Sequence, residues 1–311
     1  MKTKKIVPKK SASLKKTLSG ILTYKTVSGV KHANYNGKLS EIFLALLYLL
    51  KKHKNLSLII NNIQSDDEYH VMINHSLKWK YNFSKYEVLF PNNMDKYSYI
   101  RLLQTNTKRY GLNLLFIQLE KEEQSGHYNL IFYDFKKKTA ERFEPMNQMM
   151  YEEKYNKVTD KFDKKMTKLL KGIGFRYIKP SSYIPFINLQ DIEEDHDNLK
   201  NVKKSNLYNE NRILKSDVEG YCGIWCIYYA DLRLSFPKVK RAKLLIQIVY
   251  VLKDHNLKLR RFIRGYADNI LKYLDKIEKQ TKFNDLKFIN DKYNPSYFKK
   301  VIYPLYNKLT Q

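Results

Sequence analysis

Three side chains in this sequence have the chemical types and the spacing that a thiol-based catalytic site requires. His127 opens and Glu144 closes the segment 126–145, GHYNLIFYDFKKKTAERFEP, whose pattern predicts a strand, a basic turn and a second strand. Two strands joined by a tight turn bring their outer ends side by side, so we expect the imidazole to meet the carboxylate. The third group is Cys222, in the apolar stretch GYCGIWCIYYADLRL.

Cys222 is predicted to lie in the first turn of a long buried helix. The N-terminal end of a helix carries partial positive charge and unpaired N–H groups, and both favour the thiolate form of a cysteine. A neighbouring imidazole would act as the base, and a carboxylate on its other ring nitrogen would orient it. A buried cysteine is also commonly a small apolar core residue, so these residues by themselves leave both interpretations open.

The elements that must position these groups can be predicted from hydrophobic periodicity and from capping residues. Residues 40–53 begin with a capping serine, carry a glutamate in the first turn and end in basic residues, a pattern that predicts a helix. Further helices are predicted at 152–174, after Gly220, at 239–253 and at 257–279, and strands at 56–60, 86–90 and 112–120, in the hairpin and at 175–180. Helices, a block of strands and then helices indicate an α+β fold.

The composition narrows the classes of protein that the chain can represent. Of its 311 residues, 58 are Lys or Arg and 31 are Asp or Glu, and the net charge of +27 favours binding to nucleic acid or another polyanion. No apolar run is long enough for a membrane helix, and the N-terminus lacks the apolar stretch of a signal peptide. The two cysteines, Cys222 and Cys226, exclude a disulfide framework and a thiolate zinc site and indicate a reducing compartment.

Two segments are too polar to belong to a packed core. Residues 1–30 carry eight lysines and no acid, which predicts a basic, disordered tail able to tether the chain to nucleic acid. Residues 191–218 form a long polar insertion. His196 lies there among acidic residues, and we expect a solvated loop rather than a metal site, so no metal is predicted.

The three groups also occur in local motifs that resemble a known family. HYNLIFYDFKKKTAERFEP resembles the His-to-acid segment of the adenain and SUMO-protease group of cysteine peptidases, in which a His opens a strand and an acid follows seventeen residues later. GYCGIWC resembles the nucleophile segment of that group, and the chain order His, acid, Cys is the same. YADLRLSFP and FIRGYADNIL resemble versions of this fold in large DNA viruses, so the resemblance covers roughly residues 110–275.

The resemblance implies a papain-like fold in which helices flank a central mixed sheet and the nucleophile begins the central helix. It implies that Cys222 is the nucleophile, that His127 is the base and that Glu144 orients the imidazole, and it implies no cofactor. Glu144 lies in the sequence FEP, which is similar to the adenovirus maturation protease, whereas the SUMO proteases use Asp at this position.

The domain organisation follows from the same resemblance. Residues 31–311 would form a single cysteine-protease domain. Its parts are a helical and strand part at 31–110, the strands and the polar insertion at 191–218, and C-terminal helices at 235–311.

Three aromatic or thiol side chains near the site are interpreted through the family pattern. The family has a Trp after the catalytic His, where it lines a narrow tunnel for small substrate residues, and this chain has Tyr128 there. Trp225 is expected in the core of the central helix, with a second role behind the substrate tunnel. Cys226, one helical turn beyond Cys222, is expected to be a core residue.

The group that would stabilise the oxyanion departs from the family pattern. The family places a Gln six or seven positions before the cysteine, and these positions hold Ser216 and Lys215. Gln190, at the end of the strand before the insertion, is the expected substitute. Asp217 is nearer in sequence, but an ionised carboxylate would repel the developing oxyanion.

The predicted function is that of a cysteine endopeptidase that cuts after small residues of the Gly-Gly kind and matures viral structural polyproteins. Removal of SUMO or other ubiquitin-like modifiers uses the same chemistry and is the alternative. An alternative of another class is an inactive relative that serves as a basic nucleic-acid-binding or structural protein of the virion. The expected partners are a polyprotein or a modifier conjugate, and nucleic acid through the tail, with no membrane. The expected location is the virion or the host cytoplasm.

Overall fold

The computed structural model describes residues 39–59, 78–82, 87–90, 94–118, 126–145, 153–183, 221–254, 262–263, 265–270, 272, 288–289, 292–293 and 303–310. These ranges combine helices with a mixed sheet, so the α+β class predicted from the sequence is confirmed. The predicted tail at 1–30 and the predicted insertion at 191–218 lie outside the described residues.

Seven strands form one sheet in the order β3, β2, β4, β5, β6, β7, and β1 pairs with the start of β4. The strands are β1 Leu56–Leu58, β2 Lys78–Asn82, β3 Glu87–Leu89, β4 Tyr110–Gln118, β5 Gly126–Asp134, β6 Thr139–Phe143 and β7 Arg176–Ile178. The pairs β2–β3, β4–β5 and β5–β6 are antiparallel, whereas β1–β4, β2–β4 and β6–β7 are parallel. The hairpin predicted at 126–145 is therefore β5 and β6, in the middle of the sheet.

The central strands bury side chains on both faces of the sheet. In β4, Leu112 and Leu114 belong to a core on one face, while Leu115 and Ile117 belong to a second core on the other face. Residues in β5 alternate between the two cores in the same way. Burial on both faces explains why β4 has a nearly continuous apolar sequence rather than an alternating one.

The first face is covered by α1 (Leu39–Lys52) and α4 (Cys222–Ser235). Every residue of α4 from Cys222 to Leu234 is buried, so this helix lies inside the molecule, with its two charged residues, Asp231 and Arg233, held in ion pairs. Tyr229 of α4 stacks on Phe143 of β6, with ring centroids 4.0 Å apart. Helices α5 (Arg241–Asp254) and α6 (Tyr303–Thr310), with the helical residues 262–263 and 265–270, contribute the outer part of the same core.

The second face is covered by α2 (Lys96–Thr105) and α3 (Glu153–Lys171). Trp79 of β2 is at the centre of this core, where it makes edge-to-face contacts with Tyr99 of α2 and Phe162 of α3. Helix α2 begins after Asp95, whose carboxylate accepts a hydrogen bond from the backbone N–H of Ser98 at 2.6 Å.

The structure contains elements that the sequence interpretation left out. Helix α2 was missed because it is short and only two of its residues, Tyr99 and Leu103, are buried. Strand β2 was missed because KWKYN is a strand through its pairing with β4, not through its own pattern. The segment 235–311, predicted as helices, also contains the two-stranded hairpin of β8 (Phe288–Ile289) and β9 (Lys292–Tyr293). Within the described ranges, no helix combines the length and the hydropathy of a membrane span.

His53 has a partner that the sequence interpretation did not foresee. Its Nε2 atom lies 2.7 Å from Oδ1 of the buried Asp231. Lys52 and Tyr266 bind Oδ2 of the same carboxylate at 2.7 and 3.2 Å. Burial tends to raise the pKa of Asp231, but the hydrogen bonds from His53 and Lys52 outweigh it and lower the pKa. The cluster joins the end of α1 to the inside of α4.

Candidate active site

The hairpin brings His127 and Glu144 together as its sequence predicts. His127 is the second residue of β5, and Glu144 directly follows β6. Leu130 pairs with Phe143 in this hairpin, so Glu144 leaves the sheet diagonally across from His127, within reach of a long side chain. Nε2 of His127 lies 2.7 Å from Oε1 of Glu144.

The charged form of His127 is favoured although the side chain is buried. Only 5% of the surface of His127 and 3% of that of Glu144 is exposed. Burial alone would lower the pKa of His127, but the carboxylate of Glu144 and the side chain of Cys222 outweigh it and raise the pKa to about 10. Glu144 and Cys222 therefore both favour the protonated form of the imidazole.

Cys222 is the first residue of α4, and its side chain lies close enough to His127 to raise the pKa of the imidazole. The first turn of a buried helix also directs unpaired backbone N–H groups towards the thiol. The structure thus brings together all three groups that the sequence singled out.

Gly223 lets the start of α4 pack closely against α1. A Cβ atom at this position would lie 2.5 Å from Cδ1 of Ile42 and 3.4 Å from Cδ2 of Tyr128. The first distance is shorter than real carbon contacts allow, so any larger residue would displace either Ile42 or the start of the helix. The glycine after Cys222 therefore helps to fix the position of the thiol.

Arg142 contacts the carboxylate of Glu144, and the sequence analysis did not identify it. It is fully buried, and its Nε and Nη2 atoms donate to the two carboxylate oxygens of Asp163 at 2.8 and 3.0 Å. Its Nη1 atom donates to Asn129 and lies 3.4 Å from Oε2 of Glu144. One signal was available in the sequence: Arg142 is two residues before Glu144 and so shares its side of the strand.

Cys226 differs from Cys222 in exposure and in environment. Cys226 is fully buried, whereas 8% of the surface of Cys222 is exposed, and both thiols are free. Burial raises the pKa of Cys226 well above its ordinary value, and its Sγ atom lies 3.5 Å from the backbone carbonyl of Tyr128. These features agree with the expected core role of Cys226.

Of the two aromatic residues assigned to a substrate tunnel, only Tyr128 lies beside the thiol. Tyr128 is half-buried and packs edge-to-face on Phe116, with ring centroids 5.0 Å apart. Burial raises the pKa of its hydroxyl, and the nearby Cys222 contributes to the same shift. Trp225 is fully buried among Tyr228 and Phe262 in the first core, so its position gives no support to a role in contacting substrate.

Gln190, the predicted oxyanion group, lies outside the described residues, as do Lys215, Ser216 and Asp217. Within the described part of the chain, no group of three or more His, Cys, Asp or Glu side chains is arranged to hold a metal.

Comparison with known proteins gives one informative relative. No protein-family model matches the chain. A protein of Acanthamoeba polyphaga mimivirus, described as ankyrin repeat protein L371, is 30% identical over 279 residues. The match covers 80% of this chain and 34% of that protein, so the chain spans about a third of the length of this relative.

The name of that relative does not describe the fold seen here. An ankyrin array consists of stacked pairs of helices with a period of about 33 residues. The described residues of this chain instead form a mixed sheet between helices. The similarity therefore relates the chain to a giant-virus protein and does not transfer a function to it.

Proposed function

We propose that the chain is a cysteine endopeptidase of the adenain and SUMO-protease type. The observation that carries this proposal is the position of His127, which lies 2.7 Å from Glu144 and close to Cys222 at the start of a buried helix. A nucleophile, a base and a group that orients the base are the parts that acyl transfer through a thiol requires.

In the proposed reaction, the proton of Cys222 already resides on His127, and the resulting thiolate attacks the carbonyl carbon of the scissile peptide. The backbone N–H of Cys222 and a side-chain donor, for which Gln190 is the candidate, stabilise the oxyanion. The C–N bond breaks as the imidazolium gives its proton to the leaving amine, and a thioester to Cys222 remains. His127 then removes a proton from water, which attacks the thioester and restores the free thiol.

Residues preceding the cut are proposed to be small, of the Gly-Gly kind, on the basis of the family resemblance. Maturation of viral structural polyproteins is the favoured role, because the chain is similar to a mimivirus protein. Deconjugation of ubiquitin-like modifiers remains the second candidate, and the matched geometry of His127, Glu144 and Cys222 serves both.

The test is covalent labelling with a Gly-Gly vinyl sulfone, followed by mass spectrometry of the intact chain. We expect one adduct, located on Cys222, in the wild type and in Cys226→Ser. Cys222→Ala should abolish the adduct, and His127→Gln should slow it by at least 100-fold if the imidazole activates the thiol.

A chain that labels no faster than free cysteine at the same pH would be an inactive relative, and the enzyme proposal would be wrong. If the wild type does form the adduct, the two substrate classes are separated by comparing its rates of cleavage of a Gly-Gly polyprotein peptide and of a SUMO conjugate.

A further inference from the structure

A polar cleft lies at the end of the sheet opposite to the candidate active site. Its volume is about 530 Å³, and it is bounded by the end of α2, the start of β4 and the β5–β6 turn. His127 is at one end of β5 and Asp134 is at the other end, next to the cleft. At roughly 3.3 Å per residue, this strand separates the cleft from His127 by about 20–25 Å.

Four cationic side chains line this cleft: Lys108, Arg109, Lys136 and Lys138. None of its described lining residues is acidic. The ion pairs found within the described part of the chain use none of the four cations. The adjacent Asp134 is buried and pairs with Lys137 at 3.6 Å, so it does not neutralise them.

Two of the cations are held in place by aromatic rings. The guanidinium of Arg109 lies 4.9 Å from the ring centroid of Tyr110, and Nζ of Lys138 lies 4.9 Å from that of Phe175. Contacts of this kind orient a cation without neutralising it. The cleft therefore presents partly ordered positive charge to solvent.

The turn that carries Lys138 is unusual for a lysine. Lys138 has a φ of 51°, in the left-handed region where glycine is favoured and other residues cost free energy. Local strain of this sort is typical of binding sites, where a particular side chain is needed at a particular position.

The remaining lining groups favour phosphate over other anions. Asn55, Gln104 and Thr107 add amide and hydroxyl groups, which together with Lys and Arg make most contacts to nucleic-acid backbones. The apolar lining residues are the buried Leu103 and the half-buried Phe135, so the cleft lacks the exposed apolar anchors that a membrane or a protein partner would use.

We propose that this cleft binds the phosphodiester backbone of nucleic acid, as a site in the folded part of the chain that is separate from the N-terminal tail. The cations neutralise phosphate charges and release counterions, while the amides and the hydroxyl position the backbone. This proposal does not depend on the peptidase activity, because the cleft shares no residue with the candidate active site.

The test measures the affinity of the full chain for a fluorescent 20-base-pair DNA duplex by anisotropy over a range of salt concentrations. The cleft variant replaces Lys108, Arg109, Lys136 and Lys138 by Gln. The matched control replaces four exposed lysines elsewhere by Gln and so removes the same charge: Lys164, Lys243, Lys272 and Lys308. Affinity decreases with salt, and we expect the magnitude of the slope of log affinity against log salt to decrease by about 3–4 in the cleft variant. In the control it should decrease by less than about 1.

A single substitution, Lys138→Gly, separates lost binding from misfolding. Glycine suits the left-handed backbone at this position, so the thermal stability should stay equal or rise while the salt slope falls by about 1. Equal losses of slope in the cleft variant and the control would overturn the proposal, since binding would then depend only on total charge. Binding of polyglutamate is measured for the same variants. If the cleft variant bound DNA as the wild type does but no longer bound polyglutamate, the proposal would be overturned in favour of an acidic protein partner.

Discussion

The charge of His127 depends on two neighbours, and this makes its titration a sensitive measure of the site. Glu144 and Cys222 together raise its pKa from 6.5 to about 10 against the opposing effect of burial. In the proposed reaction, the leaving amine takes its proton from the imidazolium. Peptidase activity should therefore persist at alkaline pH and fall as His127 loses its proton near pH 10.

Glu144→Gln should move this alkaline limit to lower pH, because the substitution removes the negative charge that raises the pKa of His127. The amide keeps the size of the side chain, so we also expect loss of rate from a misoriented ring with little change in fold. The measurement is the pH profile of kcat/KM for a Gly-Gly peptide. An unmoved alkaline limit would show that Glu144 does not control the imidazole.

The same pKa shift affects stability, and its sign is fixed. A group whose pKa is raised in the folded state adds stability that is fully present below its unfolded pKa, here 6.5, and is lost as pH rises towards about 10. The stability difference between wild type and His127→Gln, from urea unfolding, should therefore shrink from pH 6.5 to pH 10. This measurement does not require the chain to be an enzyme.

At the scale of elements, the decisive contact is that between α1 and the first turn of α4. Gly223→Ala would gain up to about 1 kcal/mol of helix propensity, but its Cβ would lie 2.5 Å from Cδ1 of the buried Ile42. Overpacking in a core costs about 1–3 kcal/mol, so we expect a net loss of stability and slower labelling of Cys222.

The double variant Gly223→Ala with Ile42→Val should recover part of both losses, because valine lacks the Cδ1 atom that clashes. A matched control is Gly265→Ala, since a Cβ at this helical glycine meets nothing within 4 Å and should be neutral or stabilising. Thermal unfolding and vinyl sulfone labelling of the wild type, Gly223→Ala, Ile42→Val and the double variant give the coupling. Additive effects of Gly223→Ala and Ile42→Val would mean that the clash is relieved by other movements.

At the scale of the whole molecule, two groups of the cations behind the net charge of +27 are candidate surfaces for nucleic acid. One is the cleft at the end of the sheet, and the other is the tail at 1–30, which lies outside the described residues and stays a prediction from its eight lysines. Each cation that contacts its own phosphate adds to the salt slope, so the contributions of the cleft and the tail should add.

Deletion of residues 1–30 should weaken binding to DNA and lower the salt slope both in the wild type and in the cleft variant. Cleavage of a short free peptide should be nearly unchanged, because the tail contributes no residue to the candidate site. The measurement is DNA anisotropy in parallel with peptide hydrolysis. An unaltered slope after deletion would assign the binding to the folded part of the chain alone.

The sequence by itself determined the features that depend on neighbours along the chain. The meeting of His127 with Glu144 follows from a turn and a two-residue period, and the start of α4 at Cys222 follows from its apolar run after Gly220. Local sterics and hydrophobic patterning act within a few residues, so a pattern suffices to predict them.

Tertiary structure alone decided which distant groups share an environment. Arg142 pairs with Asp163, 21 residues further along the chain, and His53 pairs with Asp231, 178 residues further along. The basic cleft likewise forms only because the end of α2, the start of β4 and the β5–β6 turn meet at one end of the sheet. These contacts form because α1 and α4 pack on one face of the sheet and α2 and α3 pack on the other. The free energy of burying both cores selects that packing, and no local signal in the sequence specifies it.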